Sequence, residues 1–166
     1  HNTVVFKEKD RFAGWPANNG IWNWGDEIVV GFTLGYYKKN PTGGHDIDGE
    51  KPSTTRQARS LDGGETWKVE MPSYLDDQGK ERAAQTLEQP IDFSNPDLAL
   101  KFRSNQFFVS QDRCQTWDGP YELPTYGRPK LLARTDYLVE GKHRVTAFVA
   151  AAKESGSEGQ PLCIRT

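Results

Sequence analysis

The octet Ser60-Leu61-Asp62-Gly63-Gly64-Glu65-Thr66-Trp67 constrains this chain most, because it returns fifty residues later as Ser110-Gln111-Asp112-Arg113-Cys114-Gln115-Thr116-Trp117. Ser, Asp, Thr and Trp keep the same four offsets, and a proline (Pro72, Pro124) closes the short segment after each copy. Ser and Asp side chains fold back onto backbone N–H groups, adjacent glycines supply positive φ, and a Trp covers the turn beneath. The octet therefore predicts a tight β-hairpin turn, structural in itself. A third copy is expected to begin at Thr166, since Leu162-Cys163-Ile164-Arg165-Thr166 reads like Phe107-Phe108-Val109-Ser110 and lies 56 residues after the second. Self-similarity at such a period marks a repeat architecture.

Sixteen Gly and ten Pro, with little helical periodicity, predict an all-β chain. Strands are expected at Val4–Phe6, Glu27–Tyr37, Thr54–Arg59, Thr66–Met71, Ile91–Phe93, Leu98–Phe102, Phe107–Val109, Tyr121–Leu123, Leu131–Val139 and Arg144–Ala152, with a last one before Thr166. A short helical turn is expected around Ala83-Ala84. In Glu27–Tyr37, Ile28, Val30, Phe32, Leu34 and Tyr36 take one face, and Val29, Gly31, Thr33 and Gly35 the other. That pattern suits a sheet covered on both sides by neighbouring sheets. Repeats of this length, about four strands each, indicate a β-propeller with blade units at approximately 1–75, 76–125 and 126–166. Three blades cannot close a ring, so residues 1–166 read as one partial propeller domain, a segment of a longer protein whose remainder would complete it.

The net charge of −2, from 21 basic and 23 acidic residues with no basic block, argues against nucleic acid as a partner. No apolar run approaches the roughly 20 residues of a membrane span. The start at His1 is compatible with a processed mature protein and with a cytoplasmic one. Cys114 and Cys163 are read either as a pair facing each other across adjacent repeats or as two buried free thiols.

The repeated turn resembles the Asp-box of the sialidase (neuraminidase) superfamily. The first copy matches Ser-x-Asp-x-Gly-x-Thr-Trp in full, through Ser60, Asp62, Gly64 and Trp67. In the second, Ser110, Asp112 and Trp117 match, and Cys114 stands in place of the glycine. Arg11 followed by Pro16 also looks like a loose version of that superfamily's Arg-Ile-Pro segment, with Phe-Ala-Gly-Trp intervening. The chain as a whole looks like bacterial exo-sialidase-like proteins. The resemblance implies a six-bladed propeller and a secreted or periplasmic glycoside hydrolase. Its substrate would be a carbohydrate with a terminal anionic sugar such as sialic acid. No cofactor and no metal are implied. Asp-boxes specify fold more than activity, so two alternatives stand: a non-catalytic propeller binding glycans or a protein, and a polysaccharide lyase with His45 or Tyr137 as base.

Residues opening each unit are expected near a propeller axis. Arg11 and Arg134 are the candidates to clamp a carboxylate, against the alternative of exposed or salt-bridged arginines. Asp136 and Tyr137 flank Arg134 as substrate contacts. The loop Gly43–Gly49 precedes the first turn, where sialidases carry their general acid/base. Asp46 or Asp48 would protonate the glycosidic oxygen, with His45 tuning or replacing them. The same loop also reads as solvated or as a weak cation site. Trp15, beside Gly14 and Pro16, is placed near the pocket, whereas Trp22 or Trp24 is expected in the core. Arg56 and Arg59 read as structural or solvated. A retaining sialidase's tyrosine nucleophile would lie beyond Thr166.

Overall fold

A computed structural model describes residues 2–154 and 159–166. It is all-β, in three small antiparallel sheets, and divides into two compact units, 1–72 and 73–166. The Ser155-Gly156-Ser157-Glu158 part of the polar stretch before the last strand lies outside the described residues.

The first unit is one sheet built on the long strand β3 (Glu27–Tyr36), which pairs with β4 (Thr54–Ser60) and through it with β5 (Lys68–Glu70). The other edge of β3 is shared by two short strands. β1 (Arg11–Gly14) pairs with its C-terminal half, Arg11 opposite Tyr36, and β2 (Ile21–Trp24) with its N-terminal half, Trp24 opposite Glu27. Between them the chain leaves the ladder in a single helical turn, α1 (Pro16–Asn19), which the sequence patterning missed. Pro16 fits the first helical position, where no N–H is needed. Gly31 makes the excursion possible: a Cβ there would lie 2.5 Å from the Asn19 carbonyl oxygen, and the Gly31 N–H donates to Gly20 O at 2.8 Å.

The expected two-faced character of β3 holds with a different covering. Phe32 and Leu34 pack with Ala58, and Val5, Phe6 and Trp67 lean on that cluster. The Gly31/Gly35 side is closed by Asn19 and Ile47, from a helical turn and a loop, rather than by another sheet. Val29, on that same side, is fully buried. Val4–Phe6 forms no strand; Phe6 is held instead by stacking on Phe32 at 5.4 Å. Trp22 is buried, as expected for a core tryptophan, and Arg59 is structural, paired with Glu27 and Glu70.

The second unit holds two three-stranded sheets. One is β6 (Ala99–Arg103), β7 (Gln106–Ser110) and β8 (Asp118–Glu122); the other is β9 (Tyr137–Gly141), β10 (Arg144–Ala151) and β11 (Gln160–Arg165). Their core includes Phe93, Leu100, Phe102, Val109, Val145, Ala147 and Val149. Ile91–Phe93 is not a strand. The Asp92 carboxylate accepts from the Ser94 N–H and hydroxyl in a bend, and Phe93 alone enters the core. Pro90 and Pro96 on either side offer no ladder donors. Leu131–Val139 is divided as well: Leu131 and Ala133 make isolated bridges to Ala151 and Ser104, and the regular strand begins only at Tyr137. Around Ala83-Ala84 there is no helical turn but an extended passage between bridges at Glu81 and Gln85.

One register recurs in all three sheets. Ser60 ends β4 opposite Ile28, and Ser110 ends β7 opposite Ala99. Thr166 follows β11 with its N–H on Val145 O and its Oγ1 accepting from the Val145 N–H. In each sheet the Ser/Thr therefore sits across from the start of the preceding strand.

Candidate functional site

The two repeated turns are the same object in atomic detail. Ser Oγ donates to Asp Oδ1 at 2.8 Å in both, and accepts the N–H four residues on, Gly64 or Cys114, at 2.8 Å in both. The Asp carboxylate then takes the Thr N–H (2.9 and 2.8 Å) and the Thr hydroxyl (2.6 Å in each). Gly63 and Gly64 supply φ of 68° and 94° in the first turn. Arg113 and Cys114 adopt 58° and 63° in the second, so the network imposes the left-handed backbone even without glycine. These bonds, the Thr66 hydroxyl first, hold the Asp62 carboxyl down at about 2, and the same set keeps Asp112 low against the opposing effect of its burial. A depressed carboxylate contributes stability above its unfolded pKa of about 3.8, lost as pH falls toward 2. Circular dichroism during acid titration is expected to show loss of β-structure in that window, displaced to higher pH by Thr66→Val with Thr116→Val. An unmoved midpoint would contradict the assignment.

The first unit gathers most of the residues singled out in the sequence. Arg11, opening β1, donates from Nε to Gly35 O at 2.8 Å and lays its guanidinium over the Tyr36 ring at 4.5 Å. Its backbone-bonded Nε and stacked plane fix the head group. Among the described residues no hydrogen bond occupies its two terminal nitrogens. Lys51 Nζ lies 5.0 Å from the centre of the same Tyr36 ring.

Trp15 stands where the chain leaves β1, at φ 58° and ψ 48°. A bulky residue in this region is strained by roughly 1–3 kcal/mol, a cost that recurs at functional sites. The indole packs on Phe12 (4.9 Å) and meets His45 edge-on at 5.1 Å, with its N–H donating to His45 Nε2 at 3.3 Å. The loop 38–53 thus reaches back to Trp15 through His45 and to β3 through a bridge between Tyr37 and Ile47 and the Asp48 N–H on Tyr36 O.

The two loop carboxylates are used within the loop. Asp46 accepts the Asn40 N–H at 2.8 Å and Lys39 Nζ at 3.1 Å, and those contacts, the Asn40 N–H first, lower its pKa. A general acid needs the opposite displacement. Asp48 is buried to 8 % exposure, takes the Glu50 N–H, and lies 3.6 Å from Lys38 Nζ and 3.9 Å from Lys51 Nζ. Both hold the loop's shape.

In the second unit Arg134 and Asp136 are exposed, and Asp136 O accepts the Phe148 N–H at 3.0 Å. The Tyr137 hydroxyl accepts the Leu100 N–H at 3.1 Å, tying β9 to β6, and its ring packs against the core. Cys114 is buried and Cys163 exposed, and both are free thiols, so neither cysteine reading fits entirely. Among the described residues no group of three or more His, Cys, Asp or Glu is arranged to hold a metal ion, and no helix is long and apolar enough to cross a membrane.

Tyr36, which contacts Arg11 in the candidate site, and Lys51, which lies near the same ring, were not marked as site residues in the sequence. The available signal was strand pairing, because Tyr36 lies opposite Arg11. No family model, curated protein or solved structure matches this chain.

Proposed function

We propose that this chain is part of a sialidase-like Asp-box β-propeller that binds a terminal anionic sugar, the Arg11 guanidinium receiving its carboxylate and Trp15 flanking the ring. The observation that carries this reading is Arg11 itself, locked by Gly35 O and Tyr36 while its terminal nitrogens stay available. An end-on, charge-assisted pair of hydrogen bonds to a carboxylate is worth about 1.5–3 kcal/mol. The identical turns and the shared Ser/Thr register support the propeller. Binding without turnover is what these residues favour, because the contacts of Asp46 lower its pKa and His45 Nε2 accepts the Trp15 N–H, so neither is placed to protonate a glycosidic oxygen. A lyase using Tyr137 is disfavoured by the bond its hydroxyl makes to Leu100.

Saturation-transfer NMR with an α-methyl sialoside and its carboxyl methyl ester tests the proposal. Binding of the acid is expected, with the ester and Arg11→Ala each at least tenfold weaker and Arg11→Lys intermediate. Equal binding of acid and ester would refute it.

A further inference from the structure

The second unit contains a cavity of about 400 Å³, separate from the residues just discussed. Its walls come from both of that unit's sheets: Leu100, Phe102 and Phe107 on one side, Val145, Ala147 and Ile164 on the other. It is a cleft partly open to solvent, with the mainly apolar lining that small-molecule sites show. A volume of this order accepts a compact organic molecule, on the order of fifteen non-hydrogen atoms at interior packing density.

Charge selects among such molecules. Glu122 and Arg165 are the charged residues that line the space. Arg165 is already engaged, its Nε donating to Thr146 Oγ1 and its Nη2 to Glu140, both at 3.0 Å. The Glu122 carboxylate has no hydrogen-bond or ion-pair partner among the described residues. The lining therefore offers apolar surface with one carboxylate at its solvent-exposed edge that no cation among the described residues neutralises. We propose that this cavity binds a small amphipathic amine, with its apolar body between the two sheets and its ammonium group on Glu122.

The fluorescent apolar probe N-phenyl-1-naphthylamine tests this on the full chain, displaced by decylamine or by decanoate below their micellar concentrations at pH 7.5. Saturable probe binding at one site per chain is expected, with decylamine displacing at least tenfold more effectively than decanoate. Glu122→Gln should reduce that preference at least fivefold while the probe still binds saturably. Glu140→Gln, by freeing Arg165, should strengthen decanoate. Absence of probe binding, equal displacement by the two chains, or an undiminished preference in Glu122→Gln would each overturn the proposal.

Discussion

The native chain is expected to gain about 2–3 kcal/mol of stability between pH 6 and pH 9, and Lys101→Met to abolish most of that gain. Lys101 sits mid-strand in β6 at 2 % exposure, opposite Phe108, with its ammonium 5.7 Å from the Tyr74 ring centre. Burial is the main cause that brings its pKa from 10.5 down to about 7; Arg103 adds to the effect, while Glu81 and Cys114 oppose it. Below pH 7 both folded and unfolded chains carry the proton, and the folded state bears the net cost of burying that charge. Between pH 7 and 10.5 only the unfolded chain keeps it, so stability climbs with pH and levels off above that window. Methionine has similar length and no charge, so the slope should vanish while packing against Tyr74 and Phe108 is kept. Urea unfolding of both proteins at pH 6, 7.5 and 9 decides it, since other titrating groups cancel in the difference. A parallel pH dependence in the two would show that Lys101 does not titrate there.

That lysine was visible in the sequence as the one charge inside Leu98–Phe102, yet the run read simply as a strand. Period-2 patterning reports which faces a strand has and not what covers them, so a buried amine and a solvated one look alike. The same limit explains β3, where the glycine face was recognised but its covering by Asn19 and Ile47 depends on contacts distant in sequence. Local chemistry was more legible. Ser and Asp at fixed offsets specified side chains folding back onto the turn's own N–H groups, because those partners lie within four residues. The Arg11–Trp15–His45 neighbourhood falls between these cases. Its members stood out singly, and the helical turn after Trp15 that brings the indole to His45 was unmarked by any period. The carboxylates went the other way: Asp46 and Asp48 were candidates because of their loop, and Lys39 and Lys38 from the same loop tie them down.

The strength of that local network sets the second large effect. Ser110→Ala should lower stability of the second unit by about 2 kcal/mol, with Ser60→Ala comparable in the first. Ser110 is 1 % exposed, and its hydroxyl is where the Cys114 N–H ends, at 2.8 Å. Alanine removes the acceptor without admitting water, leaving a buried donor unpaired; that loss, and not one net hydrogen bond, is what sets the size. The hydroxyl also orients Asp112, so the Thr116 N–H and hydroxyl lose part of their hold on the carboxylate. Cys114, at φ 63° without glycine's freedom, then has less to keep it left-handed. Two substitutions separate these contributions. Ser110→Thr retains a hydroxyl acceptor at the same position and is expected to recover most of the loss. Cys114→Gly on the Ser110→Ala background should relieve backbone strain of about 1 kcal/mol while surrendering a fully buried side chain. Urea unfolding gives the total, and amide exchange at Cys114 and Thr116 gives the location. A loss under about 0.5 kcal/mol, or exchange unchanged at both amides, would show that the turn is held by its tryptophan and strands instead of by the serine.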